Sequence, residues 1–249
     1  MKGGRALAYE SFSKYYDLLM QNADYNGRAD YYHRLLSQNG VGSGILLDLG
    51  CGTGTMSLLM DDYGYEVIGA DSSEEMLSEA LKKTAGRNIL LLNQPMEELD
   101  LYGTVDCAIS VLDSVNHLEG REAVKEAFSK VSLFMNPGGV FAFDMNTVYK
   151  HREILADNDF VIESGDVFCA WQNTLYEDDS VDITLNFFEK DADRYVRRTD
   201  SFSEFAYEIS EVRSMLEDAG FDIIGVYDDM SFENARSDSE RVVFAARKR

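Results

Sequence analysis

The stretch from Leu46 reads LLDLGCGTG, an apolar run that ends in glycines at every second position, Gly50, Gly52 and Gly54. Glycine loses more backbone freedom on folding than any other residue, so this spacing is poor material for a helix or a strand interior. A chain keeps such a turn where something must lie against bare main chain, and a ligand at the end of a buried strand is the usual reason.

The pattern around the turn predicts the architecture. Strands are expected at 45–49, 66–70, 88–92, 105–111 and 140–143, with helices at 55–62, 73–83 and 121–135 between them; Asn136-Pro137-Gly138-Gly139 would stop the last helix. Regular alternation of this kind predicts an α/β fold with a doubly wound, mostly parallel sheet and helices on both faces. Upstream, aromatic and apolar residues at helical spacing predict two helices between residues 9 and 36, with a break near 24–27. Between Phe160 and Phe205 the period changes. Three pieces, VIESGDVFCAWQ, VDITLNFFEK and YVRRTDSFSEF, are separated by the turn-prone EDDS and DADR and predict an antiparallel insertion. The parallel pattern then resumes with a helix at 209–219 and strands at 221–227 and 241–246. The expected organisation is a helical lid over 1–40, a central α/β unit over 41–150 and 206–249, and the insertion over 151–205.

Charge narrows the partners. The 249 residues carry 23 Lys and Arg against 45 Asp and Glu, a formal net charge of −22. Phosphate backbones are held by clustered cations, so nucleic acid is disfavoured as a substrate. No run is long and apolar enough for a membrane span, and the start lacks the apolar core of a secretion signal, so a cytoplasmic location is expected. Cys51, Cys107 and Cys169 are far apart without C-x-x-C pairing, which argues for reduced, small apolar residues rather than a zinc site or a disulfide.

The glycine spacing excludes two phosphate-binding loops. A dinucleotide fingerprint counted from Gly50 requires glycine where Thr55 stands, and counted from Gly52 it requires glycine where Ser57 stands. The P-loop fails because no Gly-Lys-Ser/Thr follows. In contrast, LLDLGCGTG resembles the first motif of class I S-adenosylmethionine-dependent methyltransferases, and the order of elements from Ile45 onward resembles their Rossmann-like, seven-stranded fold. The resemblance implies S-adenosylmethionine as cofactor, with Gly50, Cys51, Gly52 and Gly54 beneath its methionine part and Asp48 organising the loop and the ammonium group.

Further site residues follow from the same resemblance. Asp71, at the end of the second strand, is expected to accept hydrogen bonds from both ribose hydroxyls, with capping of the next helix as the alternative; Ser72 adjoins it. Met76 either packs on the adenosine or belongs to the core. After the third strand the family commonly places an acid for the adenine amino group, but matching Met96 to the following apolar residue puts Pro95 there, leaving Asn93 or Gln94 to replace it. At the end of the fourth strand, Leu112 and Asp113 are expected to line the cofactor site, and Asp113 and His117 are the candidate catalytic pair, since an imidazole is the usual proton acceptor near neutral pH. Asp113, Asp144 and Asn146 also raise the question of a magnesium site, but spacing alone supports none, and no metal is assigned.

The start Tyr16-Asp17-Leu18-Leu19-Met20 resembles the YDxLM lid of a bacterial subgroup, which implies Tyr16 over the sulfonium. That subgroup has an Arg-Trp pair where this chain has Gly27-Arg28, which makes Arg28 the candidate for the methionine carboxylate. Small-molecule methyltransferases such as glycine N-methyltransferase carry extra strands where the insertion falls, so by analogy it would roof a substrate pocket, with Trp171, Tyr176 and Tyr195 as possible lining. The expected function is methyl transfer to a small-molecule acceptor; an RNA or protein methyltransferase, or a non-catalytic regulator that binds the cofactor, is the alternative.

Overall fold

The structure is a computed structural model that describes Met20 and residues 23–249. Two sheets organise these residues. The first has seven strands: β1 (Gly44–Leu49), β2 (Tyr65–Asp71), β3 (Leu90–Asn93), β4 (Val105–Ser110), β5 (Met135–Asn146), β10 (Phe221–Asp228) and β11 (Arg241–Lys248). Their order across the sheet is β10-β11-β5-β4-β1-β2-β3. β1 to β5 run parallel, while β11 lies antiparallel to both β5 and β10. The second sheet is the antiparallel meander β6 (Asp159–Ser164), β7 (Val167–Leu175), β8 (Val181–Asp191) and β9 (Arg194–Glu204).

Burial on both faces explains why the central strands read as continuous apolar runs. Leu47 and Leu49 of β1 point into one apolar layer, with Phe128 and Val131 of helix α4 (Gly120–Leu133) and Val212 and Leu216 of α5 (Ile209–Asp218). Leu46 points into the other, against Tyr32, Leu35 and Leu36 of α1 (Tyr25–Gln38) and Met56 and Met60 of α2 (Thr55–Asp62). Helix α3 (Glu74–Lys83) completes the set. Asp24 caps α1 by accepting from the Gly27 amide at 3.1 Å, so the helix starts at the expected break. α1 packs on the sheet as part of a core layer, whereas the helix expected before it lies outside the described residues.

Two local expectations need correcting. Asn136–Gly139 does not separate a helix from a strand, because α4 ends at Leu133 and β5 already begins at Met135. Met135 pairs with Val105 and Val140 with Cys107, so four residues of β5 loop out opposite Asp106 alone. Asp106 holds the excursion by accepting from Asn136 Nδ2 at 2.9 Å and from the Ile45 amide at 2.8 Å. In the insertion, the piece read as one strand from Val161 to Gln172 is a hairpin. Ser164 pairs with Val167, and Gly165 turns the chain at φ +58°, a conformation that glycine adopts without steric cost.

Candidate active site

Strand order reverses between β1 and β4: from β1 the chain proceeds outward to β2 and β3, then returns to β4 on the other side. Ligands of open α/β sheets bind beyond the carboxyl ends of the strands at such a point. Here a cavity of about 260 Å³ opens between the two sheets.

The glycine turn forms one end. The Gly50 and Cys51 amides donate to the Ala70 carbonyl at 2.8 and 3.0 Å, which locks the turn to β2. All three glycines have positive φ, but a side chain would meet different obstacles at each. At Gly50 a Cβ would lie 2.7 Å from Met96 Cε, and at Gly54 it would lie 3.1 Å from Ala80 Cβ, so those two serve packing within the protein. At Gly52 a Cβ would meet nothing within 4 Å among the described residues. Gly50 and Gly52 both line the cavity, and at Gly52 the backbone has open space above it among those residues.

Asp71 faces this backbone from the end of β2. One carboxylate oxygen accepts from the Gly52 amide at 2.8 Å and the other from the Ser73 amide at 2.8 Å. Burial raises its pKa above the ordinary value, against the opposing effect of those two amides. The helix cap is Ser73, which accepts from the Met76 amide at 3.2 Å, so Asp71 is not needed for that role. Asp71, Ser72 and Met76 all line the cavity. Met76 also packs with Leu155 and Leu185 beneath the second sheet, joining the two readings of it. Asp48 is buried beneath the turn, where it accepts from Ser57 Oγ at 2.5 Å; burial pushes its carboxyl up to about 6 despite that bond. It lies with Cys51 along a small neighbouring cleft of about 20 Å³ rather than in the main cavity.

β4 ends in two consecutive non-glycine residues at positive φ, Leu112 at +61° and Asp113 at +57°. Asp144, fully buried at the end of β5, holds them there by accepting from both amides, at 2.9 and 2.7 Å. Backbone conformations of this cost persist where surroundings over-determine them. The result turns the Asp113 carboxylate into the cavity, and a one-turn helix at Ser114–His117 carries His117 onto the ring of Phe202 at 5.1 Å. His117 Nδ1 is buried without a hydrogen-bond partner among the described residues, and the ring lies within electrostatic reach of both Asp71 and Glu204.

Other expected residues are placed differently. Gln94 closes its own loop: Nε2 donates to the Asp100 carbonyl at 3.1 Å and Oε1 accepts from the Asp100 amide at 3.0 Å. Asn93 Nδ2 donates to the Asp71 carbonyl at 3.2 Å. Pro95 precedes a short turn at Met96–Glu98, and only Met96 of that pair lines the cavity. Arg28 is not brought to the cavity: its guanidinium makes a bidentate pair with Asp229 at 2.9 Å and donates to the Ala23 carbonyl at 3.1 Å. Tyr16 lies outside the described residues. Of the possible roof residues, Trp171 lines the cavity, while Tyr176 and Tyr195 are exposed.

The opposite end is one that sequence reasoning largely missed. Asn146 donates to Asp113 Oδ2 at 2.7 Å and to Glu204 Oε2 at 2.8 Å, and its Oδ1 accepts from Lys150 Nζ at 2.9 Å. The Arg241 guanidinium bridges Asp113, at 3.2 Å, and Asp144. That cation sits between the two carboxylates once considered for magnesium. Among the described residues no cluster of His, Cys, Asp and Glu is arranged for a metal. Burial alone would raise the Glu204 carboxyl, but the facing His151 imidazole, His117 and the Asn146 amide outweigh it and hold it at about 2. These residues come from β5, β9, β11 and the turn at Lys150–Leu155, and no spacing in the chain connects them. The one available signal was position, since Asn146 ends a parallel strand. Burial pushes the Cys107 thiol up to about 12 and the Cys169 thiol up to about 11, away from the thiolate form.

Comparison with known proteins agrees with this geometry. Residues 46–139 match the model of a methyltransferase domain. A putative methyltransferase of Bacillus subtilis, YqeM, is 32% identical over 97% of this chain and 98% of its own length. A glycine/sarcosine N-methyltransferase of Parasynechococcus marenigrum is 26% identical over 90% of this chain and 80% of its own. The crystal structure of an S-adenosylmethionine-dependent methyltransferase from Clostridium acetobutylicum superposes with a TM-score of 0.88 at 29% identity, covering 96% of this chain and 98% of that one. With a glycine turn and the Asp71 carboxylate at the switch point of a seven-stranded sheet, and a relative 32% identical over nearly its whole length, the chain belongs to the class I S-adenosylmethionine-dependent methyltransferase family.

Proposed function

We propose that this methyltransferase acts on a small molecule enclosed between the two sheets. The observation that carries the reading is that the open backbone at Gly52 and the apolar roof formed by Ile162, Trp171, Leu185 and Phe202 belong to one cavity. An acceptor under that roof is excluded from water on one side and faces the cofactor end on the other. The net charge of −22 and the 26% identical glycine/sarcosine N-methyltransferase support a small acceptor over nucleic acid. The three buried free thiols fit a reducing, cytoplasmic setting.

S-adenosylmethionine supplies a methyl group already activated by the positive charge on sulfur, so the protein's tasks are alignment and proton removal. Gly52 backbone and the second lone pairs of Asp71 are assigned to the methionine part and the ribose diol. Leu112 and Asp113 form the wall between the two ends, held by Asp144. His117, with an unpartnered ring nitrogen against Phe202, is assigned to receive the acceptor's proton. The transfer is a direct in-line displacement with inversion at the methyl carbon.

The test is a fractionation. Lysate is split into small molecules and macromolecules, and each fraction is incubated with the enzyme and labelled S-adenosylmethionine. Label transferred to the small-molecule fraction and lost in Gly52→Val is the expected result. Transfer confined to RNA or protein would overturn the assignment of the acceptor.

A further inference from the structure

The floor of the cavity away from the glycine turn holds two cations with unused donors. Lys150 Nζ makes one hydrogen bond, to Asn146 Oδ1 at 2.9 Å, and no carboxylate lies within ion-pair distance of it among the described residues. Asn146 cannot turn to offer it anything else. Its amide nitrogen is held by two carboxylates, and rotating the amide would set its oxygen against both. Arg241 uses Nη1, toward Asp113 and Asp144, and among the described residues its remaining N–H groups have no partner. Both residues line the cavity, whose apolar stretches at Leu155, Ile162, Trp171, Leu185 and Phe202 offer no acceptor for the donors left open. A cation left with unmatched donors in such surroundings is costly, and a bound anion that takes those donors recovers a charge-assisted bond for each.

The carboxylates around the cavity do not supply that anion. Asp113 is taken by Arg241 and Asn146 and Asp71 by two backbone amides, while Glu204 accepts from Asn146 and faces His151, both through Oε2. Ser72, Ser73 and Ser114 add hydroxyls to the lining, while Trp171 and Leu185, with Leu155 at the end of Lys150's own turn, give it apolar surface.

We propose that Lys150 and Arg241 form a subsite for the carboxylate of the methyl acceptor, so that the enzyme acts on small carboxylic acids with an apolar body. This rests on the small-molecule reading above and specifies it. The carboxylate is anchored at the floor, the apolar body lies against Trp171 and Leu185, and the reacting atom is turned toward His117 and the cofactor end. No covalent chemistry occurs at the subsite; it positions and selects.

The experiment uses the full chain loaded with S-adenosylhomocysteine, and amino acids from glycine to phenylalanine as probes, each paired with its carboxamide. Thermal stabilisation by the probes at about 10 mM is read in the wild type, Lys150→Met and Lys150→Arg. Acids are expected to stabilise where their amides do not, more strongly as the apolar body grows. Lys150→Met should weaken acid binding roughly tenfold, Lys150→Arg should retain it, and both should keep S-adenosylhomocysteine affinity within about twofold. For any acid that is methylated, Lys150→Met should raise KM by the same tenfold with little change in kcat. Equal binding of acids and amides, no binding of either, or an unchanged Lys150→Met would overturn the subsite. So would a Lys150→Met that loses S-adenosylhomocysteine, since Lys150 would then serve the cofactor. A Lys150→Met that fails to fold moves the same comparison to Lys150→Gln and to Arg241→Lys. Failure of the wild type to bind S-adenosylhomocysteine would instead strike at the functional reading beneath it.

Discussion

The two ends of the cavity are built in different ways. The glycine end is made by consecutive residues: β1, the turn at 50–54 and the start of α2 follow one another in the chain, and Asp71 ends the next strand. The acceptor end is made by Asp113, Asn146, Lys150, Glu204 and Arg241, which come together only when β5, β9 and β11 have been placed. The first end, proposed for the cofactor common to the family, can be carried by a local motif. The second, proposed for the acceptor, draws its parts from the ends of elements remote in sequence.

Asp144 joins the two ends, because it holds the Leu112 and Asp113 amides while accepting from Tyr32 at 3.0 Å and pairing with Arg241. Asp144→Ala strands a buried guanidinium and two buried amides, and is expected to cost about 3 to 5 kcal/mol of stability in urea unfolding. A loss under 1 kcal/mol would mean that the two ends are not mechanically linked. Gly52→Val tests the first end alone. A branched side chain at φ +53° is strained and fills the open space, so S-adenosylhomocysteine affinity by calorimetry should fall by about 100-fold or more, with the fold retained by circular dichroism.

Asp48 supports the same end from below, and its effect depends on pH. Its carboxyl is raised from 3.8 to about 6 on folding, so its contribution to stability is present below about pH 4 and is lost as pH rises through about 6. Asp48→Asn removes that dependence. Relative to the wild type, the variant should gain roughly 2 kcal/mol between pH 4 and pH 7.5, measured from urea midpoints. A gap that stays constant with pH would show that the buried carboxyl does not titrate in this range. The smallest effect belongs to the second end: Trp171→Ala should raise KM for an apolar acceptor about tenfold and leave S-adenosylhomocysteine binding unchanged. Equal loss of both would erase the distinction between the ends.

The same division governs what was legible beforehand. LLDLGCGTG, the strand and helix order and the antiparallel insertion were read from periodicity and glycine placement, because those signals are local. Gly52 and Asp71, expected beside the cofactor, line the cavity, whereas Arg28, expected at the methionine carboxylate from its position in the chain, is engaged with Asp229, 201 residues away. The hairpin at Gly165 was missed because a two-residue turn leaves little mark on an otherwise continuous strand pattern.

Local sequence therefore determined the sheet, the turn and the class of cofactor, since backbone freedom and hydrophobic period act between neighbours along the chain. Only tertiary structure decided how Lys150 and Arg241 are partnered at the far end of the cavity, and which of their donors stay open among the described residues. Each of Asn146, Lys150, Glu204 and Arg241 takes its partners from strands brought together by the packing of two sheets, and whether a buried charge is satisfied depends on every element around it.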